Sequence, residues 1–537
     1  MDKARFNLQI KNFQSSAKDI NSFVPSATIP SNIQLPDNIN LKGSFNGAIN
    51  NFATNLVLVS NFGSAKVKAN FDQRVKNREK YNADAELINL DLGRFLKNDS
   101  IGKISLKAKV NGVGLDPKTA NANLVGVLNK AEYNSYLYKD LFVKGDIKNG
   151  LFNATAKMDD PNLDFDLVAN GSFKNKYPSV KLNANIDSVD LGKLNFYKGS
   201  LRLRGKIDAN VKTADPDYLN ARVSLNSLLI AQEKDKFLLD SINIISIASD
   251  TINTLVLKSP FLNAGVRGKY KLTQIATAIS NSVAKYYDTD LEAEKKTTEG
   301  QHFNFRATLV SHPALLQFVP EIKKLEPITL TGRYNSVGDS IMVDGSIPKL
   351  IYGSNTITNG ILKIDTKDSV LNYSLLIDEI KNPQILLPKT SLIGKVENNI
   401  IDYKLQVKDI EDKERYLIAG NIKSIKATTE FRLELEGLKL NYENWKIDQN
   451  NLISFGEGGI NANDFFLSNN DQSIKIQSEG EQANAPLKID FSKFKIETLT
   501  SIVEQDSLKI GGLLDGNVLL SDLNTDMVFT SDLTIKN

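Results

Sequence analysis

Residues Leu141–Ala169 read LFVKGDIK, NG, LFNATAKM, DDPN, LDFDLVA: three short runs of alternating apolar and polar residues, separated by two turn signals. Asn149-Gly150 is the dipeptide favoured in a two-residue type I′ hairpin, where both central residues need positive φ. Antiparallel pairing about that turn sets Leu141 opposite Met158, Val143 opposite Ala156, Gly145 opposite Ala154 and Ile147 opposite Phe152, all on one face. A four-residue turn at Asp159–Asn162 then sets Leu163 beside Met158, Phe165 beside Ala156, Leu167 beside Ala154 and Ala169 beside Phe152. Leu141, Val143, Ile147, Phe152, Met158, Leu163, Phe165 and Leu167 are therefore the candidate apolar lining. On the other face the reading pairs Lys157 with Asp164 and aligns Lys144, Thr155 and Asp166, leaving Phe142 and Val168 as apolar outliers. A one-residue slip would mix the two faces, so agreement between the two turns specifies the sidedness.

The same alternation runs through most of the chain. INLKGSFNG, TNLVLVS, AKVKANF, KISLKAKV, PSVKLNANI and SLRLRGKI all read as strands, and in AKVKANF Ala65, Val67, Ala69 and Phe71 oppose Lys66, Lys68 and Asn70. A repeat is superimposed on the meander: Leu90-Asp91-Leu92-Gly93 returns as Val189-Asp190-Leu191-Gly192, 99 residues on. Asp116-Pro117 with Asn121-Ala122 returns as Asp215-Pro216 with Asn220-Ala221, and Pro161 as Pro260, at the same offset. A shorter element recurs as Leu41-Lys42-Gly43, Leu106-Lys107-Ala108, Leu203-Arg204-Gly205 and, near the end, LKIGGLLDG from Leu508 to Gly516.

Four segments follow. Residues 1–40 hold a strand, a short helix in SSAKDINSF and a proline-spaced extended lead-in. Residues 41–270 form the repeated β segment. Residues 271–327 break it, with Leu272, Ile275, Ala276, Ile279 and Val283 at helical spacing, Thr273 as a candidate N-cap, the charged linker DTDLEAEKKTTEG, and a short helix in HPALLQFVP. A helix over Leu272–Tyr287 would either cap the sheet, making a charge at Ile279 strongly destabilising, or act as a plug or gate inside the groove, its deletion then changing lipid occupancy and leaving the fold intact. Residues 328–537 resume the alternation as a second β segment.

Composition excludes several functions. The chain has 537 residues, 41% hydrophobic, 24% charged and a net charge of +3, with no arginine-rich stripe interleaved with aromatics, so nucleic acid is not an expected partner. With no cysteine there is no disulfide framework and no thiolate chemistry, and His302 and His312, the only histidines, argue against a zinc or copper site. Neither a G-x-S-x-G elbow, a P-loop, an H-E-x-x-H helix nor an EF-hand loop occurs, and Gly112-Val113-Gly114 is a truncated dinucleotide fingerprint set in strand sequence. Asp164 and Asp166 read as polar-face partners of Lys and Thr. No enzyme, cofactor or metal is expected. The start, MDKARFNLQIKNF, has no apolar core of signal-peptide length and no run of about 20 apolar residues follows, so the chain reads as the central piece of a longer protein.

The alternating runs amount to about 35 strands of ~5–8 residues, with far too few helices to cover them. A closed sandwich, a parallel solenoid or a sheet curled into an open gutter would each solve this. Tight hairpins argue against the solenoid, and the lack of linkers at the repeat junctions argues against separate sandwiches. The expected fold is all-β: an elongated, curled antiparallel sheet with an apolar groove and two or three short helices. Stacked along one axis such strands would extend at most on the order of 150 Å, at ~4.8 Å each.

The L-x-G-x-x-x-G strand starts, the break LTQIATAISNSVAKYY followed by HPALLQFVP, and the run DYKLQVKDIEDKERYLIAGNI resemble the TamB proteins of Gram-negative bacteria, most like the large versions in Bacteroidetes. These belong with the AsmA-like bridge-like lipid transfer proteins. The resemblance implies a β-taco anchored in the inner membrane by an N-terminal helix, absent from this sequence, and reaching across the periplasm. It further implies movement of phospholipid along the groove, support of outer-membrane biogenesis and protein assembly, and an outer-membrane barrel of the TamA or BamA type as partner, met through regions missing here. No catalytic residue is implied. Two alternatives remain from the residues themselves: a structural or adhesive surface protein of stacked β-sandwiches, and a carbohydrate-active enzyme built on a β scaffold.

Overall fold

The hairpin at Asn149-Gly150 forms with φ of 48° and 77° at its two central residues, the left-handed pair that a type I′ turn requires. Its strands, Tyr136–Lys148 and Leu151–Asp160, pair Leu141 with Met158, Val143 with Ala156, Gly145 with Ala154 and Ile147 with Phe152. The next turn differs from expectation. It has two residues, Pro161 and Asn162, so Phe165 pairs with Met158, Leu167 with Ala156, Ala169 with Ala154 and Gly171 with Phe152. Asp160 is the reason: buried at 3% exposure, its carboxylate accepts the Tyr136 hydroxyl and the backbone N–H groups of Lys139 and Asn162, closing the turn early. The shift is two residues, so every side chain keeps its face. Lys157 consequently pairs with Asp166 (Nζ to Oδ1 3.4 Å) rather than Asp164, and Lys144 and Thr155 align with Val168 rather than Asp166.

This computed structural model describes residues 4–25, 29–288, 300–367, 369–425, 428–456, 459–480, 482, 484–501, 511–523 and 527–536. It is nearly all β, 67% strand and 7% helix, and its main element is an antiparallel sheet of 29 strands that does not close. The chain divides into two compact units, Met1–Ala248 with Leu257–Pro260, and Ser249–Val256 with Phe261–Asn537. In the first, strands run from Phe6–Ser15 to Asp235–Ala248, each paired antiparallel with the next and with no crossover.

The 99-residue repeat is visible in the strand boundaries and in their irregularities. Lys80–Asp91 answers to Ser179–Asp190, and Asn121–Tyr133 to Asn220–Gln232. A bulge between Leu87 and Leu90 recurs between Ile186 and Val189. Asp91 then accepts from the Arg94 N–H, and Asp190 from the Lys193 N–H. The first of these starts a helix, Leu92–Leu96, that the alternation did not predict. In the second copy burial raises the Asp190 carboxyl, but the Lys193 N–H and the Arg202 guanidinium (Nε to Oδ2 2.8 Å) outweigh it and the net pKa lies below the usual range.

In the second unit the meander continues from Leu262–Lys269 through Thr428–Leu440 to Gly459–Asn463, and a second, six-stranded sheet runs from Lys446–Ile447 to Val528–Lys536. Residues 328–537 thus hold two sheets, whereas a single continuous segment was expected. Leu433, Leu438, Trp445, Ile447, Phe465, Leu467 and Phe494 form a closed core between them. Buried Asn451 completes the backbone there: Oδ1 accepts from Leu433 N–H at 2.8 Å and Nδ2 donates to Leu433 O at 3.1 Å.

Short helices decorate the strands at Ala17–Phe23, Leu92–Leu96, Ile275–Ala284 and Pro313–Phe318, with single turns at Pro216–Tyr218 and Glu497–Thr500. Ser16 caps the first, and His312 Nδ1 the fourth. In the third, Gln274 holds the cap position and its side chain makes no capping hydrogen bond to the helix, so Thr273 is not the cap. Its packed side also differs from the apolar stripe read in the sequence. Ala278 and Ser282 are buried, and Ile275 packs with Tyr270, Phe303 and Tyr334, while Ile279 and Val283 are exposed at 36% and 39%. Ser282 Oγ lies 3.0 Å from the Tyr334 hydroxyl and donates to Asp339 Oδ1 at 2.8 Å. Residues 289–299 of the charged linker and 508–510 of LKIGGLLDG lie outside the described residues.

These contacts reverse the stability expectation for the helix. Ala278→Asp places an unpaired charge among Tyr270, Phe303 and Tyr334 and should cost a few kcal/mol of stability, whereas Ile279→Asp should stay within about 0.5 kcal/mol of the parent. Chemical denaturation of the two variants checks the order.

Candidate functional site

Parity of pairing makes one face of the first unit apolar from strand to strand. Tracing directly opposed residues gives Ile10, Gly43, Leu56, Val67, Ala85, Ala108, Gly126, Val143, Ala156, Leu167, Ala184, Ile207, Leu225 and Ile242, one from each of the 14 strands, with no polar residue among them. At ~4.8 Å per strand this row runs about 60 Å along the hydrogen-bond direction. A parallel row, from Phe13 through Leu41, Leu58 and on to Phe165 and Ile186, is apolar over 11 strands.

All eight sequence-predicted lining residues fall on this face. Leu141, Val143, Ile147, Phe152, Leu163, Phe165 and Leu167 are half-buried, and only Met158, held near the Asp160 turn, is fully buried at 4% exposure. Every residue of the 14-strand row is likewise half-buried. A sheet face under a second layer would contain fully buried side chains at mid-strand. Between Asn51 and Asp190 the fully buried apolar residues are only Phe62, Ala120 and Met158, at turns or beside one, so no layer of described residues covers that stretch of the face, whereas further on Leu239 is fully buried within Asp235–Ala248. The other face carries the exposed polar row Asn70, Asn82, Asn111, Asn123, Asp146, Asn153 and Asn170, along with the exposed outliers Phe142 (41%) and Val168 (54%).

A second device on the apolar face was not read from the sequence. Five aromatic rings lie across the glycine directly opposite on the neighbouring strand: Tyr81 on Gly112, Phe152 on Gly171, Phe305 on Gly332, Tyr373 on Gly394 and Tyr403 on Gly420. A Cβ at Gly394 would sit 2.5 Å from the Tyr373 hydroxyl and 2.0 Å from the Asp402 carbonyl, so only glycine admits the ring. The signal was available, as glycines on the apolar parity of strands, but their partners lie about 20 to 30 residues away and emerge only with the register.

The tyrosines bring a hydroxyl onto this face and two of the three satisfy it at a carbonyl. Tyr81 donates to Gly114 O at 3.1 Å and Tyr373 to Asp402 O at 3.0 Å, whereas the buried Tyr403 hydroxyl has no partner. Burial, reinforced by the Asp402 charge, raises the Tyr373 phenol, and burial with the Glu434 charge raises that of Tyr403. Carboxylates supply no cluster: among the described residues no group of three or more His, Asp or Glu is placed to hold a metal ion. Nor is any described helix long and apolar enough to cross a membrane.

Comparison with family models, with characterised proteins and with solved structures finds no match to this chain.

The two buried tyrosines should respond oppositely to loss of the hydroxyl. Tyr373→Phe removes a hydrogen bond and should cost about 1 kcal/mol, whereas Tyr403→Phe removes an unpaired polar group and should be neutral or stabilising. Because both folded-state values are raised, their contribution is complete below the ordinary phenol pKa of about 10 and is lost as pH rises beyond it. Either substitution should therefore flatten the alkaline side of a stability–pH curve measured by urea denaturation.

Proposed function

We propose that this chain is a non-enzymatic lipid-binding conduit whose apolar sheet face holds phospholipid acyl chains. The observation that carries the reading is the row of 14 opposed apolar residues, all half-buried and none interrupted by a polar side chain. Water disfavours such a surface by ~25 cal/mol per Å² of apolar area, and an acyl chain relieves that cost without asking for a hydrogen bond anywhere along its length. Rings laid flat over glycines keep the surface free of steps, which suits a mobile chain better than a shaped ligand. The resemblance to TamB and AsmA-like proteins supports the finer reading: phospholipid moving between inner and outer membranes in the periplasm, outer-membrane biogenesis as the process served, and a barrel of the TamA or BamA type as partner.

One observation favours the second reading, a structural or adhesive protein of stacked sandwiches. The core around Trp445, Phe465 and Phe494 is closed between two sheets, as in a sandwich. It is confined to the C-terminal part of the second unit.

Position-specific photocrosslinking separates the readings. A crosslinker at Phe165 should label phospholipid, one at Asp166 on the opposite face should not, and equal labelling at both would overturn the assignment. Organic extracts of gently purified protein should contain phospholipid by mass spectrometry.

A conduit also predicts a break between folding and function. Phe165→Glu with Leu167→Glu places two carboxylates in the apolar rows, where desolvation is costly and water is drawn in. In cells the double variant should reach normal folded levels and yet fail to support outer-membrane integrity. Loss of function only in proportion to loss of folded protein would favour the structural reading.

A further inference from the structure

Several charges on the polar face of the sheet come in pairs, such as Lys107 with Glu86 (2.9 Å), Lys109 with Asp84 (3.1 Å) and Lys157 with Asp166 (3.4 Å). One patch of the second unit departs from this. On the three neighbouring strands Leu262–Lys269, His302–Leu309 and Ile328–Asn335, Arg267 stands opposite Asn304, and Asn304 opposite Arg333. Arg306 lies two residues along the middle strand, and His302 and Lys269 pair on its other side. All are exposed, and none of the three arginines lies within ion-pair distance of a carboxylate among the described residues. Asp344, on the fourth strand, is opposite Lys363 and diagonal to Arg333, and makes no ion pair with it. A shallow depression is lined by Arg267, Asn304 and Arg333 together with Phe303, Tyr334 and Met342, among others, and Arg333 Nη2 rests 3.2 Å from Met342 Sδ, which holds that side chain along the depression.

We propose that Arg267, Arg306 and Arg333, with the Asn304 amide between them, form a binding site for a phosphate-bearing anion. Arg267 and Arg333 are two strands apart, about 10 Å between Cα atoms, and both line the depression, while Arg306 stands on the strand between them, on the same face and two residues along from Asn304. Three like charges held this close repel in the empty site, and an anion removes the repulsion. The fork geometry of guanidinium matches phosphate oxygens bidentately, which lysine in the same positions would not do. The Asn304 amide supplies a further neutral donor, and His302 stands at the rim. The arginines have the opposite parity from Val266, Phe305 and Gly332 on the same three strands, so the proposal does not rest on the acyl-chain reading.

Phosphate chemistry could come from a soluble phosphate or from a lipid headgroup at a bilayer surface, and two measurements on the full chain distinguish them. Calorimetric titration with inorganic phosphate reads the soluble source. Flotation with phosphatidylcholine vesicles, with and without phosphatidic acid, reads the headgroup. Arg267→Ala with Arg333→Ala should weaken binding at least about tenfold, the loss expected for charge-assisted hydrogen bonds. Arg267→Lys with Arg333→Lys, which keeps the charge and removes the fork, should weaken it by most of that factor. All four substitutions are at exposed positions, and an unchanged melting temperature confirms that each variant is folded. Arginine-dependent binding of phosphate alone supports a soluble ligand, and arginine-dependent flotation with phosphatidic acid supports a membrane-borne one. Binding to neither probe overturns the proposal, as does binding that the lysine variant retains in full, since that would be attraction to net positive charge alone.

Discussion

Parity of antiparallel pairing is the constraint on which the rest of the molecule depends. Directly opposed residues share a face, so a strand inherits its sidedness from the one before and passes it to the next. Over 14 strands a single uncorrected slip would put lysines and asparagines among the leucines. Irregularities are placed so that this does not happen. The bulge between Leu87 and Leu90 adds one residue, with Asn89 taking up φ of 49° and its N–H satisfied by Ser105 Oγ, and both leucines still face the apolar side. The Ile186–Val189 bulge does the same in the second copy.

Glycine and aromatic residues settle a different problem on the same face. A ring standing upright from one strand would collide with nothing above it and would expose both its sides to water. Laid across a glycine, it buries one side against backbone and covers a position that would otherwise be bare. In the second unit the opposed residues read Val266, Phe305, Gly332, Val343, Ile364, Tyr373, Gly394, Tyr403, Gly420 and Leu433, so large and absent side chains compensate across the ladder. The buried phenols are the polar cost of using tyrosine for this, met at Tyr81 and Tyr373 and unmet at Tyr403.

Local signals proved legible and long-range ones did not. Asn149-Gly150 specified its turn type, its register and the face of Leu141, Val143, Ile147, Phe152 and Met158, because two residues with positive φ leave a hairpin no other choice. At Pro161 the same reasoning chose too long a turn, since what shortens it is the Asp160 carboxylate gathering donors from Tyr136 and Lys139, more than 20 residues back. The helix Ile275–Ala284 shows the limit more sharply. Its largest side chains suggested the buried stripe, but the partners Tyr334 and Asp339, over 50 residues on, bond to Ser282 and draw the small residues inward. The second sheet escaped notice because its first strand, Lys446–Ile447, is too short to show any period, and Trp445 beside it is the single tryptophan of the chain.

The 99-residue repeat contains six strands: Lys80–Asp91 to Leu163–Ser172 in one copy, Ser179–Asp190 to Leu262–Lys269 in the other. Six is even, so a chain that leaves a copy runs in the same direction, and presents the same face, as the chain that entered it. A copy could be duplicated or lost in a lineage without reversing any strand or exchanging inside for outside, provided the cut falls at equivalent turns. The sheet would then grow or shrink in steps of about 29 Å. An odd-stranded repeat would admit only paired events, so the arithmetic of this one makes length the property of the fold that evolution can most readily adjust.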